Sequence, residues 1–311
     1  MSRMIKFLSQ RTGLNESDVR SIINRAPVSY KRYTIPKRTG GTRLIAQPAR
    51  EVKKLQRLLI GSLAHLPVHR AATAYVSGLS IRDNAARHAG DGPILKFDFK
   101  DFFTSIRERD WQYYCIKNGV FADPEDIYLS SRLFFTKVQG STILRLAIGA
   151  PSSPWLSNVL MHEFDSFITE AVAKDFVTYT RYADDLTFSA RRTGYLNGVE
   201  KTLRRVVAKL ENPRLSINDA KTVEATRKYR RVVTGLVLAT DGRVTIGRDR
   251  KRAIRAALHQ AFLGKLEPEA LGRLAGLVAY IKSVEPQHFA VLVARYGDDV
   301  ISKLNSLAPR D

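Results

Sequence analysis

Two adjacent aspartates between two strand-like segments place the strongest constraint on how this chain can fold. Residues 176–182 are rich in β-branched and aromatic side chains, and residues 186–190 alternate apolar and polar ones, so both segments predict strands. Asp184 and Asp185 therefore lie at or beside a tight hairpin turn. Adjacent carboxylates repel one another, and a divalent cation would neutralise them. Aspartate is also common in ordinary turns, so the pair alone supports a metal site and a polar turn about equally.

A second aspartate pair serves as an internal comparison. Asp298 and Asp299 follow Tyr296-Gly297 near the C-terminus. The apolar residues on both sides have the spacing of helices rather than of a hairpin. We therefore predict a solvated helix end there, and not a second catalytic site.

The charge of the chain predicts a polyanionic partner. Lys and Arg number 51 against 30 acidic residues, a formal net charge of +21, and they are spread along all 311 residues. Nucleic acid is the first expectation and an anionic membrane the second. Cys115 is the only cysteine, which excludes an intramolecular disulfide and favours the cytoplasm. No run approaches the roughly 20 apolar residues that span a bilayer, so no membrane-spanning segment is expected, and nucleic acid is preferred over a membrane as the partner.

A basic hairpin is predicted near the N-terminus. Residues 39–42, Thr-Gly-Gly-Thr, separate two strand-like pieces within residues 30–48. Lys37, Arg38 and Arg43 near its tip could clamp a triphosphate. A solvated hairpin without that role is the alternative. An amphipathic helix is predicted for residues 50–66.

The next segment predicts a loop that leads into a helix. Ser80 is suited to the N-cap and Asp83 to the third helical position. Asn84 and His88 are four residues apart and share a face. Such side chains are usually local hydrogen-bonding groups, so their spacing alone gives function little support.

The third candidate carboxylate lies in an apolar run. Residues 94–106 have strand-like composition but contain Asp98 and Asp101. A carboxylate within such a strand is costly unless it is paired or metal-bound, so Asp98 is expected to join Asp184 and Asp185. Phe103 could form an aromatic floor beneath a nucleotide sugar, or it could pack in the core.

Residues 149–158 predict a rigid turn that enters a helix, with Pro154 at the first helical position. Helix N-termini with small residues allow close approach of a phosphate or a base. A further helix is predicted for about 194–211.

The C-terminal part is predicted to grip a duplex. Residues 227–231 hold four cations around one aromatic ring, which favours phosphate contacts. Asp241-Gly242 between residues 232–238 and 243–246 is typical of a hairpin. Three helices are expected near 248–263, 267–283 and 287–306. The first of them is strongly basic.

Taken in order, these motifs resemble the reverse transcriptases, and specifically the retron reverse transcriptases of bacteria. The resemblance rests on seven segments: Phe97 to Phe103, residues 149–158, Tyr182-Ala-Asp-Asp185, Asn218-x-x-Lys221-Thr222, the box Asn84-Ala85-x-x-His88, the triplet Val233-Thr234-Gly235 and the basic C-terminal helices. One position departs from the family pattern: Ile148 stands where many reverse transcriptases have Gln, which affects the expected contact with the template–nucleotide pair and not the metal site.

The resemblance implies an α+β right-hand polymerase. Residues 1–93 would form N-terminal helices and fingers. Residues 94–238 would form a palm with an antiparallel sheet and an inserted fingers segment near 107–147. Residues 239–311 would form a hairpin and a helical thumb.

The resemblance also implies RNA-directed DNA synthesis with two divalent cations, Mg²⁺ or its substitute Mn²⁺. Asp98 and Asp184 would be the principal ligands, assisted by Asp185 and the Phe99 carbonyl. For the nucleotide, Lys37 and Arg43 would hold the triphosphate, Phe103 would exclude a ribose 2′-hydroxyl, and Lys221 would assist the leaving pyrophosphate.

The family's substrate is a structured non-coding RNA encoded beside the enzyme. Synthesis from dNTPs starts at the 2′-hydroxyl of an internal guanosine and gives a short DNA branched from RNA. The residues expected to help recognise that RNA are Asn84, His88, Arg230, Arg231, Val233, Thr234, Gly235, Arg248, Lys251 and Arg252. A host RNase H would remove the template, and a separate effector protein would act with the enzyme in anti-phage defence.

Three alternatives remain open on sequence grounds. Another bacterial reverse transcriptase, of the group II intron or diversity-generating type, would lack the two retron boxes. An RNA-dependent RNA polymerase would fit Asp298-Asp299 but not Phe103. A non-catalytic RNA-binding scaffold for an effector would not need its three carboxylates intact.

Overall fold

The chain forms a mixed helical and antiparallel-sheet structure. The computed structural model describes residues 2–37, 40–90, 92–138, 140–226 and 228–306. The helices are α1 (Arg3–Thr12), α2 (Glu16–Arg25), α3 (Arg50–Ser62), α4 (Ile81–Ala86), α5 (Phe102–Ser105), α6 (Glu108–Asn118), α7 (Pro124–Phe134), α8 (Ser152–Leu160), α9 (His162–Ala173), α10 (Val199–Lys209), α11 (Arg248–Phe262), α12 (Pro268–Val284), α13 (Pro286–Tyr296) and α14 (Asp298–Ser306). The strands are β1 (Tyr30–Pro36), β2 (Thr42–Pro48), β3 (Ile94–Asp98), β4 (Thr136–Lys137), β5 (Leu144–Arg145), β6 (Thr178–Tyr182), β7 (Asp185–Ser189), β8 (Val223–Ala225), β9 (Arg231–Val233), β10 (Leu236–Leu238) and β11 (Val244–Thr245). Within the described ranges, no helix is both long and apolar enough to cross a membrane.

A four-stranded antiparallel sheet forms the centre of the molecule, with strand order β6-β7-β3-β8. The register of β3 against β7 pairs Asp98 with Asp185 at one end and Ile94 with Ser189 at the other. Both faces of β3 are largely buried, and its five residues are mainly apolar. The expected α+β class with an antiparallel sheet is confirmed.

The predicted basic hairpin is present as β1 and β2, paired from Tyr30 with Pro48 to Pro36 with Thr42. The Ala46 amide donates to the Ile148 carbonyl at 2.8 Å, which joins the hairpin to the turn before α8. Gly149 has φ 115°, and a Cβ there would lie 2.9 Å from Ile45 Cγ2, so only glycine permits this close approach.

Two predicted strands are shorter than the sequence indicates. The apolar run from residue 94 is extended only to Asp98, because Asp101 adopts a positive φ of 49° and α5 follows. Residues 232–238 do not form one strand. Thr234 and Gly235 have φ values of 47° and 80° and make a two-residue turn between β9 and β10, the pattern that a type I′ hairpin requires.

Two helix predictions also need correction. Pro154 is the third residue of α8, not the first. The helix expected for 287–306 is interrupted at Gly297, where φ is 86°, and continues as α14. Asp298 and Asp299 begin α14 and are exposed, in agreement with a solvated helix end.

Two hydrophobic cores organise the chain. The larger joins the N-terminal helices to the central sheet and α6 to α10. The smaller joins α11 to α14 with β9, β10 and Ala85 of α4. Helix α4, which carries Asn84 but ends two residues before His88, thus packs with the C-terminal core. The proposed domain boundaries at 93 and 238 stay a prediction.

Candidate active site

The three predicted carboxylates meet at one end of the central sheet. Asp98 ends β3, and its cross-strand partner Asp185 begins β7. Asp184 lies in the two-residue loop between β6 and β7, beside Ala183, whose φ of 57° is uncommon for a side chain other than glycine. The Phe99 amide donates to the Asp184 carbonyl at 3.1 Å, which fixes the loop against β3. The hairpin interpretation of the adjacent aspartates is therefore confirmed.

The carboxylates are partly desolvated and repel one another. Burial raises the pKa of Asp184 to about 6, and the charges of Asp98 and Asp185 add to the rise. Burial also raises the pKa of Asp185, with a further contribution from Asp98. Raised carboxyl pKa values of this kind are typical of functional sites, and a bound cation would stabilise the charged form of both groups.

A lysine ammonium supplies one positive charge at this position. Lys221 Nζ donates to both oxygens of Asp98, at 2.9 and 3.0 Å, and this hydrogen bond raises the lysine pKa. The Asn218 amide donates to the Asp98 carbonyl at 2.8 Å, which holds the segment that carries Lys221 against β3. Lys221, expected from the sequence to assist the leaving pyrophosphate, thus lies beside the carboxylates, and its role towards the pyrophosphate stays a prediction.

The oxygen donors suit a hard divalent cation. Within the described ranges, no three histidine, cysteine or carboxylate side chains enclose an ion by themselves. An ion bound by Asp98, Asp184 and Asp185 would therefore draw further oxygens from a nucleotide or water, as Mg²⁺ commonly does. The ring of Phe99 is buried against Phe102 and Phe164, which fixes this residue beside Asp98, and its carbonyl oxygen is the expected extra ligand.

A buried ion pair supports the catalytic loop. The Arg181 guanidinium donates to Asp165 of α9 at 2.6 Å, and neither side chain is exposed to solvent. It also donates to Asn158 Oδ1 at 3.1 Å and to the Ala183 carbonyl at 3.2 Å. Sequence reasoning placed Asn158 in the turn motif but gave Arg181 no role. The available signal was an arginine inside the strand predicted for residues 176–182, because an arginine that such a strand buries needs an acidic partner.

Tyr75 is a site residue that the sequence analysis missed. Its ring centroid lies 6.3 Å from that of Phe103. Burial raises the Tyr75 pKa, the charge of Asp184 raises it further, and the charge of Arg43 opposes the rise, so both charges act on the Tyr75 hydroxyl. Tyr75 has φ 61°, a conformation that could not be read from its sequence context. Tyr75 thus connects the ring of Phe103 with the electrostatic surroundings of Asp184 and Arg43.

Of the remaining predicted triphosphate ligands, the structure describes Lys37, which directly follows β1. Lys37 is exposed, and its amide donates to the Gly41 carbonyl at 2.9 Å. Arg38 lies outside the described residues.

Residues 35–261 match the family described as reverse transcriptase (RNA-dependent DNA polymerase). The chain is 34% identical to the retron Ec83 reverse transcriptase of Escherichia coli over 284 residues, which covers 90% of this chain and 91% of that protein. It is 32% identical to the retron Ec73 enzyme of the same species, with the same coverage. The chain belongs to the retron reverse transcriptases. It is an RNA-directed DNA polymerase.

Solved structures agree on the fold. Telomerase from Candida albicans superposes with a TM-score of 0.50 at 15% identity, covering 89% of this reverse transcriptase and 61% of the telomerase. Telomerase from Candida tropicalis also gives 0.50, at 12% identity, covering 88% and 62%. The chain thus spans about three fifths of these telomerases. The right-hand polymerase fold is confirmed. Membership of the reverse transcriptase family implies dependence on divalent metal ions in general.

The Asn84/His88 box of the reverse transcriptase faces inward. The Thr73 hydroxyl donates to Asn84 Oδ1 at 2.9 Å. The two ring nitrogens of His88 each lie 2.7 Å from a hydroxyl, Ser189 Oγ and Thr180 Oγ1, and burial lowers the His88 pKa to about 3. Both side chains are at most 1% exposed. The expectation that they contact RNA directly is therefore revised: in this fold they support β6 and β7.

The Val233-Thr234-Gly235 turn is only partly accessible to a ligand. Val233 is fully buried, whereas Gly235 is exposed at the turn. Thr234 Oγ1 donates to the Ile81 carbonyl at 3.0 Å, so this turn contacts α4, the helix that carries Asn84 of the other retron box. Arg231 is 2% exposed and donates to the carbonyls of Gly90 and Gly92, at 3.1 and 2.7 Å, a structural role in place of the expected RNA contact.

The other predicted RNA ligands have mixed environments. Arg248 and Arg252 of α11 are exposed, as expected. Arg230 is exposed, with Asp249 at 3.5 Å. Lys251 instead donates to Glu285 at 2.6 Å, which ties α11 to the start of α13. Arg227, the first cation of the predicted phosphate-facing patch, lies outside the described residues.

Proposed function

We propose that this reverse transcriptase copies part of a structured non-coding RNA into a short DNA that remains branched from RNA, starting from the 2′-hydroxyl of an internal guanosine. The observation that carries the proposal is the similarity to retron reverse transcriptases over 90% of the chain. The complete set of Asp98, Asp184 and Asp185 at one sheet end supports a catalytic protein over an idle scaffold.

We assign the nucleotidyl transfer to these three carboxylates. The attacking hydroxyl gives its proton to water, its oxygen forms a bond to the α-phosphorus of a dNTP, and the bond from the α-phosphorus to the bridging oxygen breaks as pyrophosphate departs with that oxygen. Asp98 and Asp184 would hold two Mg²⁺ ions, assisted by Asp185 and the Phe99 carbonyl. When bound, such ions lower the pKa of the hydroxyl and stabilise the charge on the phosphoryl oxygens.

The chain's own side chains would orient the nucleotide. Arg43 and Lys37 are assigned to the triphosphate, where a guanidinium can make bidentate contacts. Phe103 is assigned to the space beside C2′ of the sugar, which would select dNTPs. Lys221 is assigned to the leaving pyrophosphate, because its ammonium already lies within 3.0 Å of Asp98.

The partners follow from the same proposal. The cognate RNA would contact the exposed cations Arg230, Arg248 and Arg252. The buried retron boxes would influence that RNA through the hairpins they support. A host RNase H would remove the template, and a separate effector would use the RNA–DNA product in anti-phage defence.

The test is to express the protein with its native flanking locus and purify it with its bound nucleic acid. Separate samples are treated with RNase A and with DNase, and the products are resolved on a denaturing gel. We expect a short DNA that shortens but survives RNase treatment, because RNA is covalently joined to it.

The matched variant is Asp184→Asn with Asp185→Asn, which keeps the shape of the loop. We expect it to retain the RNA and to contain no DNA. DNA that lacks a joined RNA in the wild-type sample would refute 2′-hydroxyl priming. DNA in the double variant would refute the assigned catalytic residues.

A further inference from the structure

A large cavity lies at the end of the central sheet that is remote from the carboxylates. Its volume is about 1140 Å³. It runs across all four strands, because its lining includes one residue at the same end of each: Thr178, Ser189, Pro93 and Thr226. Strand β7 separates Ser189 from Asp185 by four residues, about 13 Å, so this cavity is distinct from the site of nucleotidyl transfer.

The floor of the cavity depends on a glycine. Gly92 has φ 139°, and a Cβ there would lie 1.8 Å from the Ala190 carbonyl oxygen. The segment before β3 therefore touches the segment after β7 with no side chain between them. Arg231 fixes this segment from inside by donating to the Gly92 carbonyl at 2.7 Å.

The walls of the cavity are basic. Arg87, Arg191, Arg192 and Lys228 line it and are exposed, and none of the described residues that line it is acidic. In the part of the chain that the structure describes, Arg191, Arg192 and Lys228 take part in no ion pair. Three exposed cations that line one cavity attract an anionic ligand.

Exposed aromatic rings accompany these cations. Phe176 is 79% exposed and Tyr229 is 71% exposed, and both line the cavity. Phe176 has φ 54°, a strained conformation for a bulky residue, and its ring centroid lies 6.3 Å from that of Tyr195. A strained backbone that holds an apolar ring in solvent is typical of a binding site, because folding alone gains nothing from it.

We propose that this cavity binds an unpaired segment of RNA, with phosphates on Arg191, Arg192 and Lys228 and bases stacked on Phe176 and Tyr229. Cations interleaved with exposed aromatic rings are the combination that single strands require. The bases of a duplex are already stacked on one another, so an unpaired segment fits better than a helical one. The inference rests on the proposed function, which supplies an RNA partner, and adds a docking site remote from the polymerase channel.

The experiment uses the full chain with its polymerase channel saturated by an RNA–DNA primer–template duplex. A short fluorescent oligouridylate is then titrated and followed by anisotropy. We compare wild type with two double variants, Phe176→Ala/Tyr229→Ala and Arg191→Glu/Arg192→Glu. Lys6→Glu/Arg11→Glu is the control, since Lys6 and Arg11 are exposed cations on α1 and give the same change in net charge.

We expect each cavity variant to bind the oligouridylate about tenfold more weakly or worse, and the control to stay within about twofold of wild type. DNA synthesis on poly(rA)·oligo(dT) should be unchanged in all of them, which excludes misfolding. Unchanged affinity in both cavity variants would overturn the proposal. Weaker binding by the charge variant alone would also overturn it, because that result indicates non-specific electrostatic attraction. The proposal would likewise be overturned if the cavity variants bound RNA normally but lost a protein that co-purifies with the wild type, because the cavity would then be a protein-binding site.

Different results would refute the docking site and the proposed function. If the wild type from the native locus yields RNA-joined DNA while the cavity variants bind RNA normally, only the docking site is refuted. If the wild type yields no RNA-joined DNA, the proposed function is refuted whatever the cavity binds.

Discussion

The Arg181 guanidinium and the Asp165 carboxylate form a bidentate ion pair with no solvent exposure, at 2.9 Å from Nε to Oδ1 and 2.6 Å from Nη2 to Oδ2. The Tyr179 hydroxyl donates to the same carboxylate at 2.7 Å. Because Arg181 also donates to the Ala183 carbonyl, the pair connects α9 to the loop that carries Asp184. The position of the catalytic loop thus depends on the fully buried ion pair between Arg181 and Asp165.

Removing one partner of this pair should be strongly destabilising. Asp165→Asn leaves the Arg181 charge buried without compensation, and we expect the free energy of unfolding to fall by about 3–5 kcal/mol. Urea denaturation followed by circular dichroism measures it. Glu163→Gln on the same helix breaks a half-exposed pair with Lys117 and should change stability by less than about 1 kcal/mol. Equal effects of the two substitutions would contradict the role assigned to burial.

The sequence was sufficient for the features that local chemistry determines. The hairpin around Asp184 and the capping box of Ser80 and Asp83 were both predicted correctly, because turn residues and caps act on their immediate neighbours. The convergence of Asp98 with Asp184 was predictable because a carboxylate in an apolar strand requires a partner.

What the sequence could not provide depends on contacts across the fold. His88 was expected to meet RNA, but it lies between hydroxyls of two strands about a hundred residues away. Tyr75 was missed because a positive φ at a residue other than glycine is imposed by tertiary packing. The break between β9 and β10 was missed because a threonine seldom occupies a left-handed turn position.

Phe103 should select the sugar of the incoming nucleotide. Phe103→Val removes the ring beside Tyr75, and we expect the ratio of ribonucleotide to deoxyribonucleotide incorporation to rise about tenfold or more. Single-nucleotide extension of a primer with each substrate measures the ratio. Phe167→Val changes a phenylalanine that is 47% exposed on α9 and should leave the ratio unchanged. A ratio unaffected by Phe103→Val would assign that ring to core packing alone.

Lys221 should compete with a divalent cation for Asp98. Lys221→Met removes the ammonium that now contacts both carboxylate oxygens, so we expect Mn²⁺ to bind about three- to tenfold more tightly. Water-proton relaxation in a Mn²⁺ titration reports the affinity without requiring turnover. Lys209→Met, at the exposed end of α10, is the matched loss of charge. If both variants bind Mn²⁺ like wild type, the ammonium does not contact Asp98 in solution.

His88 should make stability depend on pH in a defined direction. Burial lowers its folded-state pKa to about 3, whereas an unfolded histidine has a pKa of about 6.5. Between these values the unfolded chain binds more protons, so the contribution is complete above pH 6.5 and is lost as the pH falls towards 3. From pH 7 to pH 5 it should decline by about 2 kcal/mol.

The measurement compares urea unfolding of wild type and His88→Gln at several pH values. Glutamine can still hydrogen bond to one of the two hydroxyls but does not titrate. We expect the difference in unfolding free energy between the two proteins to narrow as the pH falls. A constant difference would show that His88 is not held neutral.

We expect that glycine is needed at position 235 because of its left-handed backbone conformation, and not because a side chain would clash there. Its φ is 80°, and a Cβ there would meet no atom within 4 Å, so Gly235→Ala tests the left-handed conformation alone. We expect the free energy of unfolding to fall by about 1–2 kcal/mol. Gly61→Ala is the control, for which we expect a change in the free energy of unfolding of the opposite sign. Gly61 lies within α3, and a Cβ there would also meet no atom within 4 Å. Alanine at this helical position should stabilise the protein by up to about 1 kcal/mol. Thermal unfolding of both variants measures the pair. A neutral Gly235→Ala would show that the turn after Val233 adopts a different form in solution, which would also release the contact between Thr234 and α4.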